Sequence, residues 1–154
     1  MHRPVRREDR EISVENAEAL LINGIHGVLA TTGSDGQPYA LPLNYVYHDR
    51  RIYFHCAVEG MKLDNIKVNP AVSFCVVGET QVLPGKFATR YESAVVFGVA
   101  AEVDEEEKRM ALFKILEKYS PDFIEGGTKY INGSFDKVAV VRVDVQHLTG
   151  KARR

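Results

Sequence analysis

FHCAVEGMKLDNIKVNP, residues Phe54 to Pro70, runs from an apolar strand through Gly60 into a short basic helix, and that junction decides the fold. The first turn of a helix leaves backbone N–H groups unpaired, and the macrodipole makes that end positive. Lys62 adds a mobile full charge beside it, and Gly60 lets the chain turn sharply and approach an anion closely. A junction of this kind can hold a phosphate. The helix stops at Asn69-Pro70, because proline restricts the residue before it.

Upstream, Ser13 can cap a helix whose apolar positions Val14, Ala17, Leu20 and Leu21 share one face, with Gly24 placed to end it. Gly27 to Thr32, the turn-forming Ser34-Asp35-Gly36 and the extended segment Pro38 to Tyr47 read as a hairpin. His48-Asp49-Arg50 then turns the chain into a third strand, Ile52 to Cys56. Downstream, Val72 to Val77 is a fourth strand, and Gly78 to Arg90, which contains Pro84-Gly85, reads as a loop able to reach over a ligand or a neighbouring subunit. Ser93 to Val103 is β-branched, with Gly98 marking a bulge or bend. Asp104 to Tyr119 has a helical apolar pattern behind an acidic first turn, and Ser120-Pro121-Asp122 ends it and starts another short helical or irregular piece. Val138 to Val145 closes the chain as a strand with Arg142 and Asp144 on one face. Six strands, mostly antiparallel, plus three helices predict a mainly β, α+β architecture: a β-barrel with helical appendages.

At 154 residues the chain is expected to form a single domain, with residues 1–12 a flexible N-terminal tail. Twenty basic and 21 acidic residues leave a net charge of -1, so no global field draws nucleic acid or an acidic membrane. The arginines near the N-terminus and the charges of Lys151 to Arg154 read as solvated ends. Cys56 and Cys75 lie inside apolar runs and indicate neither a disulfide framework nor a zinc site. The five histidines show no i, i+4 pairing, and the carboxylates Asp104 to Glu107 read as a solvated, dipole-complementing run, so no metal is expected. Gly85-Lys86-Phe87 lacks the upstream glycine of a nucleotide-triphosphate loop. With no signal-peptide pattern and no apolar stretch of about 20 residues, the expected location is cytoplasmic.

Three blocks, GVLATTGSDGQPYALPLNYVY (Gly27 to Tyr47), FHCAVEGMKLDNIKVNP (Phe54 to Pro70) and RYESAVVFG (Arg90 to Gly98), together with HLTGK ending at Lys151, resemble the FMN-binding split barrel of the pyridoxamine 5'-phosphate oxidase superfamily. Within it the chain is most similar to the nitroimidazole-resistance branch. The resemblance implies a six-stranded antiparallel split β-barrel with peripheral helices and FMN as cofactor. Gly60, Met61 and Lys62 would contact the phosphate, with His55, Cys56 and Ala57 lining the phosphate and ribityl side. Pro42, Leu43 and Asn44 would run beside the isoalloxazine ring, and Ser93 would contribute a polar contact from a second subunit of a homodimer. The implied activity is electron transfer from a reduced nicotinamide, or another donor, to a small organic acceptor such as a nitroaromatic, with no side chain assigned a catalytic role.

Two departures accompany the resemblance. The oxidases place Ser-Arg-Lys where this chain has Gly60-Met61-Lys62, and many nitroimidazole-resistance chains have histidine where Met61 stands. The chain has no tryptophan and lacks the C-terminal tryptophan and arginine pattern that holds pyridoxal phosphate, which argues against vitamin B6 oxidation. The alternatives are a haem-binding split barrel with His26 or His55 as axial ligand, a non-catalytic flavin carrier or sensor, and a deazaflavin in place of FMN.

Overall fold

The computed structural model describes residues 2–154; Met1, the first residue of the expected tail, lies outside the described residues. Eight strands form one antiparallel sheet: β1 (Glu11–Ile12), β2 (Gly27–Thr32), β3 (Pro38–Leu43), β4 (Val46–His48), β5 (Arg51–Ala57), β6 (Ala71–Leu83), β7 (Ala88–Glu102) and β8 (Val138–Arg153). The helices are α1 (Val14–Asn23), α2 (Met61–Val68), α3 (Glu105–Tyr119) and α4 (Ile124–Ser134). The strand path is β3-β2-β6-β7-β8-β5-β4, with β1 added on β8. The six expected strands are all present. Two short ones join them: β4 is the far part of the extended Pro38 to Tyr47 segment, and β1 comes out of the N-terminal stretch.

Local signals build much of this frame. Ser13 caps α1, its hydroxyl accepting from the Asn16 N–H at 3.2 Å. Gly24 ends α1 with an extended backbone, so its missing side chain serves packing: a Cβ there would collide with Tyr45 and Val76. The register between β7 and β8 slips between Phe97 and Gly98, the bulge expected at that glycine. A Cβ on Gly98 would lie 2.5 Å from the Asp144 carbonyl oxygen.

Three expectations are corrected. Gly78 to Arg90 is not a loop: β6 and β7 continue as a two-stranded arm from Thr80 opposite Tyr91 to Leu83 opposite Ala88, past an irregularity between Val77 and Thr80. Both faces of the arm meet solvent, so its sequence shows no alternation of apolar and polar residues. The final strand likewise does not stop at Val145 but runs to Arg153, pairing with β7 throughout and with β1 near its end. Residues 2–12, read as a tail, include a buried Val5 and the strand pairing of Glu11 with Lys151 and Ile12 with Gly150. Ile12 packs where a Cβ on Gly150 would otherwise stand.

The barrel interior is filled by Leu21, Leu29, Tyr45, Phe54, Phe74, Val96 and Val141, all fully buried. Each such side chain stabilises the fold by about 1.5–3 kcal/mol relative to exposure. A second core, with Val46, Tyr53, Leu112, Ile131 and Val140, lies on the outer face under α3 and α4. A polar seam borders it. Arg142 donates to both Glu107 oxygens at 2.7 and 2.9 Å and to Asp144 at 3.1 Å. Tyr53 donates to Glu107 at 3.0 Å, and Arg51 donates to Asp144 at 3.0 Å. Glu107 is thus half-buried and paired, not one of a solvated run, while Asp104 caps α3 by accepting from the Glu107 N–H at 3.0 Å.

Tyr45 stands where the chain leaves β3 for β4. Its hydroxyl donates to the Leu21 carbonyl at 2.6 Å, and its ring meets Phe74 edge-on at 4.9 Å. Its N–H donates to the Tyr119 hydroxyl at 3.0 Å, and its carbonyl accepts from Lys118 Nζ at 3.0 Å. Burial lowers the Lys118 pKa from 10.5 to about 8. Between those two values the unfolded chain binds the extra proton, so stability rises with pH through this window. We expect the unfolding free energy from urea titrations to change between about pH 8 and 9.5 by about 1 kcal/mol more favourably in the parent than in Lys118→Met, which lacks the titrating ammonium. Cys56 and Cys75, raised by burial from 9.0, oppose this trend from about pH 9, and the tyrosines, with Tyr47 at about 12, oppose it higher still; both are common to the two proteins, so the difference between them isolates Lys118.

Candidate functional site

The barrel opens where β3 and β5 part. Val46 opposite Tyr53 is the last β4–β5 pair toward this end. The chain at Asn44 and Tyr45 belongs on its other side to β3, where Leu43 faces Gly27 of β2. Past Tyr53, β5 keeps a partner only on β8, with His55 opposite Val140 and Ala57 opposite Val138. Because β3 is an edge strand, Pro42, Leu43 and Asn44 on one side and Phe54 to Ala57 on the other present free main-chain N–H and C=O groups to the opening. Two groups of predicted site residues, separate in sequence, thus run from the point where the two strands part.

α2 closes one end of the opening. Leu63 and Ile66 drive it into the barrel core, and the buried Asn65 ties it to β2 by donating to Thr31 Oγ1 at 3.0 Å. Gly60 precedes it with φ 149°, a backbone region that side chains rarely adopt, and nothing lies within 4 Å of where its Cβ would be. No side chain caps the helix. The first N–H engaged is that of Asp64, donating to the Gly60 carbonyl at 3.1 Å, which leaves the N–H groups of Met61, Lys62 and Leu63 without an intrahelical partner. Lys62 is half-buried and forms none of the ion pairs found among the described residues.

Lys62 stands close enough to His55 and Cys56 to act on both. Burial lowers the His55 pKa, and the Lys62 charge lowers it further, although one side of the ring reaches solvent. Burial raises the Cys56 pKa against the smaller pull of Lys62, so this residue is a neutral thiol. The strand alternation turns Cys56 into the barrel core and His55 outward, so Cys56 meets the opening only through its backbone. Met61 is 58% exposed, and its side chain adds no hydrogen-bond donor. Ser93 lies elsewhere: it pairs with Val77 and Lys151, six residues along β6 from Ala71. That places Ser93 about 20 Å at strand rise from Ala71, the residue that opens β6 after α2.

No local sequence pattern marks a neighbouring cleft of about 470 Å³ between α3, α4 and β5, in whose wall His55 stands beside Leu116, Tyr119, Phe123 and Tyr130. Its walls come from segments up to 83 positions apart, from His55 to Val138. The only local trace was the apolar face of α3. Among the described residues no group of three or more His, Cys, Asp or Glu side chains gathers to hold a metal. No described helix is long and apolar enough to cross a membrane.

The model of the pyridoxamine 5'-phosphate oxidase family matches residues 13–152. Among solved structures, a candidate 5-nitroimidazole antibiotic resistance protein from Bacteroides thetaiotaomicron is 25% identical with a TM-score of 0.79, over 97% of this chain and 95% of that one. An FAD-binding protein from Mesorhizobium loti is 23% identical with a TM-score of 0.71, over 94% of this chain and 98% of that one. An FAD and haem binding protein from Mycobacterium smegmatis is 17% identical with a TM-score of 0.79, over 94% of this chain and 74% of that one. The last two likenesses establish the fold. Among curated proteins none matches significantly.

The backbone at Gly60 yields a direct test. Gly60→Ala forces a side chain into a sparsely populated region and is expected to destabilise the protein by about 1–3 kcal/mol in urea unfolding. The exposed neighbour substitution Glu59→Ala should stay within about 0.5 kcal/mol of the parent.

Proposed function

The chain belongs to the pyridoxamine 5'-phosphate oxidase family, and from that premise we propose that it is a homodimeric flavoprotein. It binds FMN and passes electrons from a reduced nicotinamide donor to a small organic acceptor, nitroaromatics included. The observation that carries this reading is the uncapped start of α2, with three free N–H groups and Lys62 beside it, next to the unpaired edges of β3 and β5. These residues fit the group. A terminal phosphomonoester carries close to two negative charges, which suits a lysine, a positive helix end and a glycine that clears the approach. The main-chain groups of Pro42 to Asn44 suit the polar edge of a flavin ring.

When bound, the flavin supplies the redox chemistry. The chain positions and shields: Lys62 and the helix end hold the phosphate, and the β3 edge orients the ring. His55 stays neutral near pH 7, since burial and the Lys62 charge both disfavour its protonation. Cys56 stays a thiol and packs. Relative to the oxidases, Gly60-Met61 costs one hydroxyl and one guanidinium, so the phosphate grip rests mainly on Lys62. Dimerisation is supported by the outward face of β6 and β7, where Val77 is 59% and Phe97 36% exposed, with Cys75 and Val95 between them. Ser93 lies on that face, so a second copy covering it would carry Ser93 to the partner's flavin.

Lys62→Ala removes a charge-assisted contact worth about 1.5–3 kcal/mol, a loss of roughly tenfold to over a hundredfold in FMN affinity by calorimetry. Glu106→Gln, on an exposed position of α3, should leave that affinity unchanged. Equal binding by Lys62→Ala would remove the assigned role. An absorption spectrum with a sharp Soret band instead of broad blue and near-ultraviolet bands would favour haem, and a monomer binding flavin stoichiometrically in sedimentation would contradict the shared site.

A further inference from the structure

We propose that the cleft between α3, α4 and β5 is a binding site for a small uncharged aromatic molecule; on the flavin reading above, on which this part rests, that molecule is the electron acceptor. Its volume of about 470 Å³ suits one or two fused rings. The lining contains no aspartate, glutamate, lysine or arginine. Two of its four hydroxyls are committed: Ser134 donates to the Tyr130 carbonyl at 2.7 Å, and Tyr119 donates to the Ile25 carbonyl. A charged ligand would be desolvated there without a counter-charge, at a cost of several kcal/mol, whereas an apolar ring loses nothing by entering. His55, the one imidazole in the wall, is held neutral by its surroundings.

The mouth is built from aromatic side chains that the fold leaves uncovered. Phe123 is 72% and Tyr130 77% exposed, and both line the cleft. Phe123 immediately precedes α4 and Tyr130 lies within it, and both line the cleft together with Gly126. The adjacent glycines divide two tasks. A Cβ on Gly127 would collide with Leu116, so its absence seats α4 against α3. A Cβ on Gly126 would meet nothing within 4 Å, so its absence is not needed for packing and instead keeps the space open. His55 also gives the cleft its address, since the same imidazole that forms its wall feels the Lys62 charge at the start of α2. A molecule in the cleft and a flavin anchored at Lys62 would lie on two sides of one residue.

Gly126→Phe fills the space from an open position on a helix that tolerates a side chain there, and Phe123→Ala/Tyr130→Ala removes the exposed mouth without touching the core. The probe is N-phenyl-1-naphthylamine, an uncharged fluorophore that brightens in apolar sites, compared with its 8-sulfonate, which has the same rings and one negative charge. Titrated into the full chain, the neutral probe should saturate a site in the parent and bind tenfold or more weakly in either variant. The sulfonate should bind tenfold or more weakly in the parent. FMN affinity should be unchanged in both variants, while Lys62→Ala should do the reverse, losing FMN and keeping the probe. If FMN binding fails but the probe behaves as stated, the flavin reading falls and the site stands. Probe affinity unaltered by filling the cleft, a sulfonate that binds as tightly, or a parent dimer that excludes the probe because a second copy covers the cleft would each overturn the proposal.

Discussion

The structure depends on how Tyr45 is held. A β-meander of this length would continue as a regular sheet if Asn44 and Tyr45 paired with β5 and carried β3 along it. Instead the Tyr45 main chain is satisfied by side chains of α3, with the Tyr119 hydroxyl accepting its N–H and Lys118 donating to its carbonyl. With those groups occupied, the strand is free to leave β5 and pair with β2. The side chain fixes the crossing from the other direction, buried against Phe74 and tied to the end of α1. Breaking the crossing would leave two buried main-chain groups unpaired at about 1–3 kcal/mol each, which is why the opening persists. The same tie explains a lysine kept half-buried with a lowered pKa: its ammonium sits over the Tyr45 ring at 4.0 Å and meets the carbonyl, both favourable, while burial opposes its charge.

What was legible in the sequence was what local physics encodes. Ser13 could be read as a cap because only its own helix is needed to satisfy it, and Gly98 as a bulge because a glycine inside a β-branched run has few other uses. Gly60 was readable because a strand that becomes a helix within three residues needs an unusual backbone. The arm from Thr80 to Tyr91 was not legible: its strands are solvated on both faces, so the alternation that reveals a half-buried strand is absent. Glu107 was misread for a related reason. Its first-turn position explains a carboxylate without any partner, and the partner that holds it, Arg142, lies 35 residues away. Tyr119 and Lys118 reach back 74 and 73 residues to Tyr45, so the contact that splits the barrel left no local mark. The family resemblance drew attention to the start of α2 and to the β3 edge, both built from contiguous residues. It gave no view of the cleft, whose walls are assembled from elements far apart in the sequence.

Magnitudes decide how much the changed triplet at residues 60–62 matters. A helix end contributes about 0.3–1 kcal/mol toward a nearby anion in exposed settings, and a charge-assisted contact from one lysine about 1.5–3 kcal/mol. Neither alone gives tight cofactor binding, and Met61 adds nothing polar. The remainder has to come from surfaces away from the phosphate: free main-chain groups along β3, apolar contact over the ring, and any area contributed by a second copy. On the flavin reading proposed above, a site weakened at its phosphate end would lean harder on dimerisation than one with a full cationic triplet, which would couple cofactor affinity to protein concentration.

Strand alternation links this junction to the cleft. On β5, Phe54 and Cys56 point into the barrel while His55 points out toward α3 and α4, so three consecutive residues serve two different cores. A slip of one residue in the pairing of β5 with β8 would exchange these roles, burying an imidazole among valines and exposing a phenylalanine. That penalty fixes the register, and the register in turn fixes His55 between Lys62 and the apolar cleft. The placement of the imidazole is thus a consequence of how the barrel packs. Any function built on a boundary between an anion cradle and an apolar pocket starts from a residue whose position the core already enforces.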